Sequence, residues 1–313
     1  MSESCTRRVG RTCATPPSNH PVPVSHLLLA LAVVAVWGTN FVVIKFGLTE
    51  LPPLLLATMR FLLSALPWLL FIRRPAVAWR YLVSYGVFIG FMFGLLFLAM
   101  RADVSPGLAS LLMQSQVFFT LLLVAWLQHE RMRPAQLAGL ALATLGFALI
   151  AWQSFAQAGH DVTPLGLALA LGGALCWACG NVVSRSIGKV DMLGFMVWSS
   201  VFAVPPLLGL SLWFEGPAAI TETLPRASLA AWAAMLWQAL GNTLFGFGAW
   251  GWLLARHPAA TITPMALLIP FFGMGASALL LGEPLQAWKL AAAALVMAGL
   301  AVNVLLGQRP RPP

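Results

Sequence analysis

The sequence predicts an all-α polytopic membrane protein, with ten transmembrane helices arranged as two inverted five-helix repeats. Composition is the first reason: 60% of the 313 residues are hydrophobic and 9% are charged, against about 25% charged in soluble proteins. A helix needs roughly 20 apolar residues to cross the hydrocarbon core, and such windows fill nearly the whole chain after residue 26. The second reason is an internal echo. Trp37-Gly38-Thr39-Asn40-Phe41-Val42-Val43-Ile44-Lys45 returns 140 positions later as Trp177-Ala178-Cys179-Gly180-Asn181-Val182-Val183-Ser184-Arg185, keeping a Trp, an Asn, a Val-Val pair and a closing cation. Repetition on this scale implies two related halves. If each half has an odd number of spans, the copies cross the membrane in opposite directions and share a site near the midplane.

Residues 1–26 carry Arg7, Arg8, Arg11 and several prolines without an apolar run, the composition of a disordered basic tail. The apolar segment that follows is too long for a signal peptide and runs into the repeated motif, so it is expected to remain as the first span. Ten spans are expected, at 27–46, 53–72, 81–100, 105–127, 134–152, 165–185, 192–213, 229–252, 259–281 and 286–306. The longest polar interruption, Gln153 to Thr163, divides a first repeat at 27–152 from a second at 164–307, with a short C-terminal tail at 308–313. The fourth and fifth spans align with the ninth and tenth at an offset of 153, matching Phe118-Phe119 to Phe271-Phe272, Glu130 to Glu283 and Gly146 to Gly299. The change of offset from 140 to 153 places a net insertion in the second half.

The net charge of +9 resides in short loops between apolar spans rather than on one soluble face, which argues against a nucleic-acid partner. With the N-terminus in the cytoplasm, thirteen Lys and Arg fall inside, while Lys45, Arg101, Arg226 and Lys289 fall outside and Arg60 lies within a span. That imbalance predicts cytoplasmic N- and C-termini and an even number of spans. No phosphate-binding Gly-x-x-x-x-Gly-Lys-[Ser/Thr] loop is present, so ATP hydrolysis by that route is excluded. The nine carboxylates, Glu50, Glu130 and Glu283 among them, fall in the tail, in loops or at span ends, so no buried acidic relay is visible. Cys176 and Cys179 share a helical face without a His or a second Cys pair, and are expected to pack rather than bind metal. No cofactor is expected.

Arg60 lies near the middle of the second span, where a cation costs about 2.5–3.5 kcal/mol to insert. It is either a helix-bridging arginine that bonds carbonyls or an anchor for a substrate carboxylate. Lys45 and Arg185 sit at helix ends, where cations favour the negative end of the dipole, and are candidates for a charged gate. Trp37 and Trp177 lie about ten residues inside their spans, roughly 15 Å deep, too far for an interfacial belt. Core packing and the wall of a translocation cavity are the two readings left. Asn40 and Asn181 need hydrogen-bond partners where there is no bulk water, and Gln114, Gln116, Gln238, Asn242 and Thr243 extend this set of buried polar groups. Gly86, Gly90 and Gly94 recur every fourth residue and should let another helix approach closely. Pro264 and Pro270 interrupt the ninth span, which makes it either a kinked packing helix or a wall of the path.

These residues resemble the EamA-type carriers of the drug/metabolite transporter superfamily over most of the chain. The resemblance is carried by Val36-Trp37-Gly38-Thr39-Asn40-Phe41-Val42-Val43-Ile44-Lys45-Phe46-Gly47-Leu48, by Pro52-Pro53 with Arg60-Phe61, by Gly107-Leu108-Ala109-Ser110-Leu111, by Trp177-Ala178-Cys179-Gly180-Asn181 and by Glu283. It implies a bacterial inner-membrane exporter of O-acetylserine, cysteine or similar zwitterionic metabolites, with a different small metabolite or drug as the alternative cargo. The partners implied are that small solute and the lipid bilayer. An intramembrane enzyme lacks its acid–base groups, since the five histidines fall in the tail, at its edge or in loops and no acidic pair lies within a span. A receptor or scaffold accounts less well for polar residues repeated at mid-depth. The residues expected at a shared cavity are Trp37, Asn40, Arg60, Gln114, Gln116, Trp177, Asn181 and Asn242.

Overall fold

The computed structural model of the protein describes residues 22–129, 132–156, 162–188 and 190–306. The tail as far as Pro21, Glu130, Arg131, Lys189 and the C-terminal residues from Gly307 lie outside them. Eight helices among the described residues are long and apolar enough to cross a membrane. The first span, Val24–Glu50, takes in three residues expected in the tail. The third, Trp79–Arg101, the fifth, Pro134–Ala156, the sixth, Pro164–Ser186, the seventh, Met192–Phe214, and the tenth, Ala287–Leu306, follow the expected order. The first-turn prolines Pro134 and Pro164 start helices where a missing N–H costs nothing. Thr163 and Asp191 cap the sixth and seventh spans with side-chain oxygens.

The four remaining elements depart from uninterrupted helix, each for a local reason. The second span is a short apolar helix, Pro53–Ala65, that stops before the expected end at 72. Pro67 cannot donate to the turn before it, and the chain continues through turns, such as Trp68 N–H to Ala65 O at 3.0 Å. The fourth span divides into Pro106–Leu112 and Ser115–Gln128. At the break, bonds tighten to three residues, as in Gln114 N–H to Leu111 O at 3.1 Å and Val117 N–H to Gln114 O at 3.1 Å. The eighth position holds an unbroken helical run of three parts: Leu229–Leu236, the π-helical Trp237–Phe245, and Gly246–Arg256. The ninth contains a 3₁₀ stretch, Thr263–Leu268, followed by Ile269–Leu281, with Pro264 and Pro270 each in the opening turn of its segment.

Packing between spans reflects the sequence repeat. The second packs on the seventh, the fourth on the ninth and the fifth on the tenth, so equivalent spans face each other. The third packs on the sixth and seventh, and the eighth correspondingly on the first and second. The fourth packs on the sixth, as the ninth does on the first. Exchanging the two halves therefore maps each of these contacts onto itself or onto another of them, which is the pattern of a pseudo-two-fold relation. Glycine permits the close crossings. A Cβ on Gly86 would strike Ser199 O, one on Gly90 would meet Ala203 Cβ at 3.0 Å, and one on Gly94 would meet Leu207 Cδ2 at 2.9 Å. The two stripes, each stepping by four residues, bring the third and seventh spans into near-backbone contact. Gly139 and Gly299 play the same part between the fifth and tenth, each Cβ position falling within 2.6 Å of the other's carbonyl.

If the chain crosses at all ten positions, alternation puts the ends of odd-numbered spans and the starts of even-numbered ones on a single face. Side-chain bonds join ends within that face. Glu50, closing the first span, accepts from Ser228 N–H at 2.8 Å and Ser228 Oγ at 2.6 Å at the start of the eighth. Glu215, after the seventh, accepts from Leu54 and Leu55 N–H at 2.6 and 2.9 Å in the first turn of the second. Glu283, after the ninth, accepts from Ser105 Oγ at 2.5 Å and Gly107 N–H at 3.1 Å at the start of the fourth. Each carboxylate thus caps the N-terminus of another span, where the dipole favours negative charge. On the opposite face, His26 and His257 share a hydrogen bond of 2.7 Å between the start of the first span and the end of the eighth.

Candidate functional site at the middle of the bundle

Trp37 is the fourteenth of the 27 residues of the first span, its exact centre. Its indole Nε1 donates to the main-chain carbonyl of Asn242 at 3.1 Å, and its ring packs against Phe247 and Trp250 with centroids 5.3 Å away. Gly246 makes this fit possible, since a Cβ there would collide with the indole nitrogen. Beside Trp37 is a cavity of about 70 Å³. One water needs roughly 10–15 Å³ of such space, so the scale is that of a small metabolite rather than a bulky drug. Both halves line it: Trp37, Asn40, Phe93 and Gln114 from the first, Trp177 and Asn242 from the second.

The lining is apolar with a few convergent polar groups, the usual make-up of a small-molecule site. Asn40 is 3% exposed and its Oδ1 has no hydrogen-bond partner. Gln114 stands at the break in the fourth span, where its Nε2 donates to Ala266 O at 3.4 Å. That carbonyl belongs to the 3₁₀ stretch, so both irregular spans meet at the cavity. Asn242 lies in the π-helical part of the eighth span, a form of helix found frequently at functional sites.

Arg60 is fully buried but lies behind the lining rather than in it. Its Nη2 donates to Thr243 Oγ1 at 3.1 Å. With its amide oxygen turned towards the guanidinium, Asn242 accepts from Nη2 at 2.8 Å and Nη1 at 3.3 Å. The face of Phe93 covers the remaining side, its centroid 3.5 Å from Arg60 Cζ. Nε has no hydrogen-bond partner, and among the described residues no carboxylate pairs with this cation. The eighth and second spans therefore enclose a positive charge balanced only by neutral dipoles and an aromatic face.

Of the eight residues expected together, Trp37, Asn40, Gln114, Trp177 and Asn242 line the cavity and Arg60 adjoins it through Asn242 and Phe93. Gln116 and Asn181 lie elsewhere: Asn181 Nδ2 donates to Gln116 Oε1 at 2.6 Å and to Thr120 Oγ1 at 3.1 Å, tying the fourth span to the sixth. They satisfy each other, which is the alternative that buried amides always have. Lys45 is half-buried and Arg185 exposed, and neither lines the cavity. Lys289, counted on the outer side at the start of the expected tenth span, is wholly buried in the first turn of that helix, with Nζ 2.9 Å from Glu283 Oε1.

Two functional neighbours escaped the sequence reading. Phe93 sits in a run of apolar residues that carries no polar signal. Ser110, which also lines the cavity, bonds its own Gly107 carbonyl at 2.7 Å. Gln238 was recognised as a buried polar group but proves extreme, with no exposed surface and neither amide atom partnered.

Comparison with known proteins places this architecture. A probable amino-acid metabolite efflux pump of Salmonella typhimurium is 42% identical over 281 residues, covering 88% of this chain and 93% of the relative. A probable amino-acid metabolite efflux pump of Escherichia coli is 39% identical over 282 residues, covering 88% and 94%. A protein of known crystal structure shares the fold with a TM-score of 0.60 at 21% identity, covering 92% of this chain and 99% of that one. The model of the EamA-like transporter family matches twice, at residues 24–152 and 164–305. The two matches together cover most of the chain, and this multi-pass membrane protein belongs to the EamA-like transporter family.

Proposed function

We propose that the chain exports small amino-acid metabolites of the O-acetylserine and cysteine type across a bacterial inner membrane by alternating access. One observation carries this reading: a cavity of metabolite size at the centre of the bundle, bordered by a buried guanidinium that pairs with no carboxylate among the described residues. A solute carboxylate would supply the missing counterion through charge-assisted hydrogen bonds. Asn40 Oδ1, unpartnered at the cavity wall, would accept from the solute ammonium, and Trp37 and Trp177 would present aromatic faces to the same charge. The names of the two similar efflux pumps support the substrate class. Overproduction in a bacterial host is expected to lower intracellular O-acetylserine or cysteine and raise it in the medium. An unchanged distribution of both would point to a different cargo.

The two repeats run antiparallel in this proposal, with both termini cytoplasmic, because Lys and Arg concentrate on that side. The face closed by Glu50, Glu215 and Glu283 is then periplasmic, and those caps must open for release. An alkaline phosphatase fused to the C-terminus should be inactive. Activity in the periplasm would reverse the orientation.

A further inference from the structure

We propose that Phe93 is a specificity gate between the cavity and Arg60: its ring must leave the guanidinium before a solute carboxylate can reach it. This deepens the carrier reading above and rests on it. Phe93 lines the cavity and also covers Arg60, its ring centroid 3.5 Å from Cζ. Arg60 itself has no exposed surface and does not line the cavity, so a carboxylate placed there meets aromatic carbon first. Phe61 and Phe97 hold the ring from the sides, with centroids 5.7 and 5.8 Å away and planes tilted by 66° and 73°.

An aromatic face stabilises a desolvated cation, and this one supplies part of what a counterion would. The interaction is weaker than paired hydrogen bonds from an anion. A carboxylate can therefore displace the ring, whereas a neutral solute or an amine gains nothing by doing so. Asn242 gives the exchange a second partner, since it lines the cavity and also accepts from Arg60. Closure of the ring lowers apparent affinity by the fraction of time the guanidinium is covered. That cost falls only on a solute that must reach the guanidinium, and a carboxylate recovers it through the hydrogen bonds it makes there.

The test is a double-mutant cycle read by equilibrium binding of labelled O-acetylserine to purified protein, using Phe93→Leu, Arg60→Gln and the pair. Phe93→Leu should bind roughly fivefold more tightly or better when Arg60 is present. It should change nothing in the Arg60→Gln background, and O-acetylserine amide, which lacks the carboxylate, should not gain. Phe93→Met serves beside it, with thermal unfolding of each variant measured so that a folding defect is not mistaken for an effect on binding. Equal responses in the two backgrounds, or weaker binding by a normally folded Phe93 variant, would overturn the gate while leaving the cavity in place. Wild-type protein that binds no O-acetylserine would overturn the gate and the carrier reading together.

Discussion

Glu283→Gln should lower the stability of the purified protein by about 3–5 kcal/mol, the usual cost of leaving one member of a buried ion pair without the other. The pair is enclosed, with side-chain exposures of 0% for Lys289 and 8% for Glu283. The carboxylate also accepts from Ser105 Oγ, Gly107 N–H and Ser277 Oγ, so one side chain ties the ends of the fourth, ninth and tenth spans together. Thermal unfolding in detergent reads the loss as a drop of roughly 10 °C. Glu283→Gln combined with Lys289→Met should recover much of it, because the ammonium that lost its Glu283 partner is gone. Burial raises the Glu283 pKa, but bonds from Ser105, Ser277 and Lys289 outweigh it and the net direction is downward. A carboxyl with a lowered folded pKa stabilises above its unfolded value, and that contribution is lost as pH falls through the folded one. The wild type should therefore weaken below the ordinary carboxylate range, and the Gln variant should lack that part of the acid sensitivity. An unchanged unfolding temperature in Glu283→Gln would show that the cluster contributes nothing.

Arg60→Met should reduce apparent affinity for O-acetylserine by about tenfold or more, the loss of a charge-assisted hydrogen bond worth roughly 1.5–3 kcal/mol. Met keeps much of the apolar stem and removes a buried cation that has no carboxylate partner among the described residues, so the amount of folded protein should hold. Arg60→Lys should restore little, because a single ammonium cannot engage Thr243 and Asn242 as the planar fork does. Flux and protein level are measured together. Loss of folded protein with unchanged concentration dependence of flux would make Arg60 a structural bridge between the second and eighth spans, the alternative its position also allows.

Sequence reading went furthest where one dimension suffices. Depth along a span follows from counting at 1.5 Å per residue: Trp37, Trp177 and the neighbouring Asn40 are expected at mid-depth on that count and line the cavity, whereas Asn181, expected beside Trp177, bonds Gln116 and Thr120 instead. The direction a side chain faces is harder to read. Gln114 and Gln116 are two residues apart and look alike in the sequence, yet one borders the cavity and the other bonds Asn181. The break at Met113 and Gln114 redirects the helix between them, and no proline or glycine marks it. Glu283 illustrates the second limit. Its place at a span end was legible, but its partners Ser105 and Gly107 are 178 and 176 positions away, and only tertiary packing brings them together. The burial of Lys289 against Glu283 is hidden from the sequence for the same reason. The π-helical stretch of the eighth span carries no proline to announce it, and the Trp37 and Arg60 bonds to Asn242 and Thr243 within it are again tertiary.

The central claim is that the cavity shared by the two halves binds and carries a small amino-acid metabolite. Counterflow in proteoliposomes containing only this chain tests it most directly: vesicles are loaded with unlabelled O-acetylserine, and uptake of external labelled O-acetylserine is followed over time. The account predicts transient accumulation of label above equilibrium, reduced in Asn40→Ala protein that inserts at normal levels, because Asn40 Oδ1 is the unpartnered acceptor in the cavity wall. Label that never exceeds equilibrium with O-acetylserine or cysteine, or accumulation identical in wild type and Asn40→Ala, would contradict it.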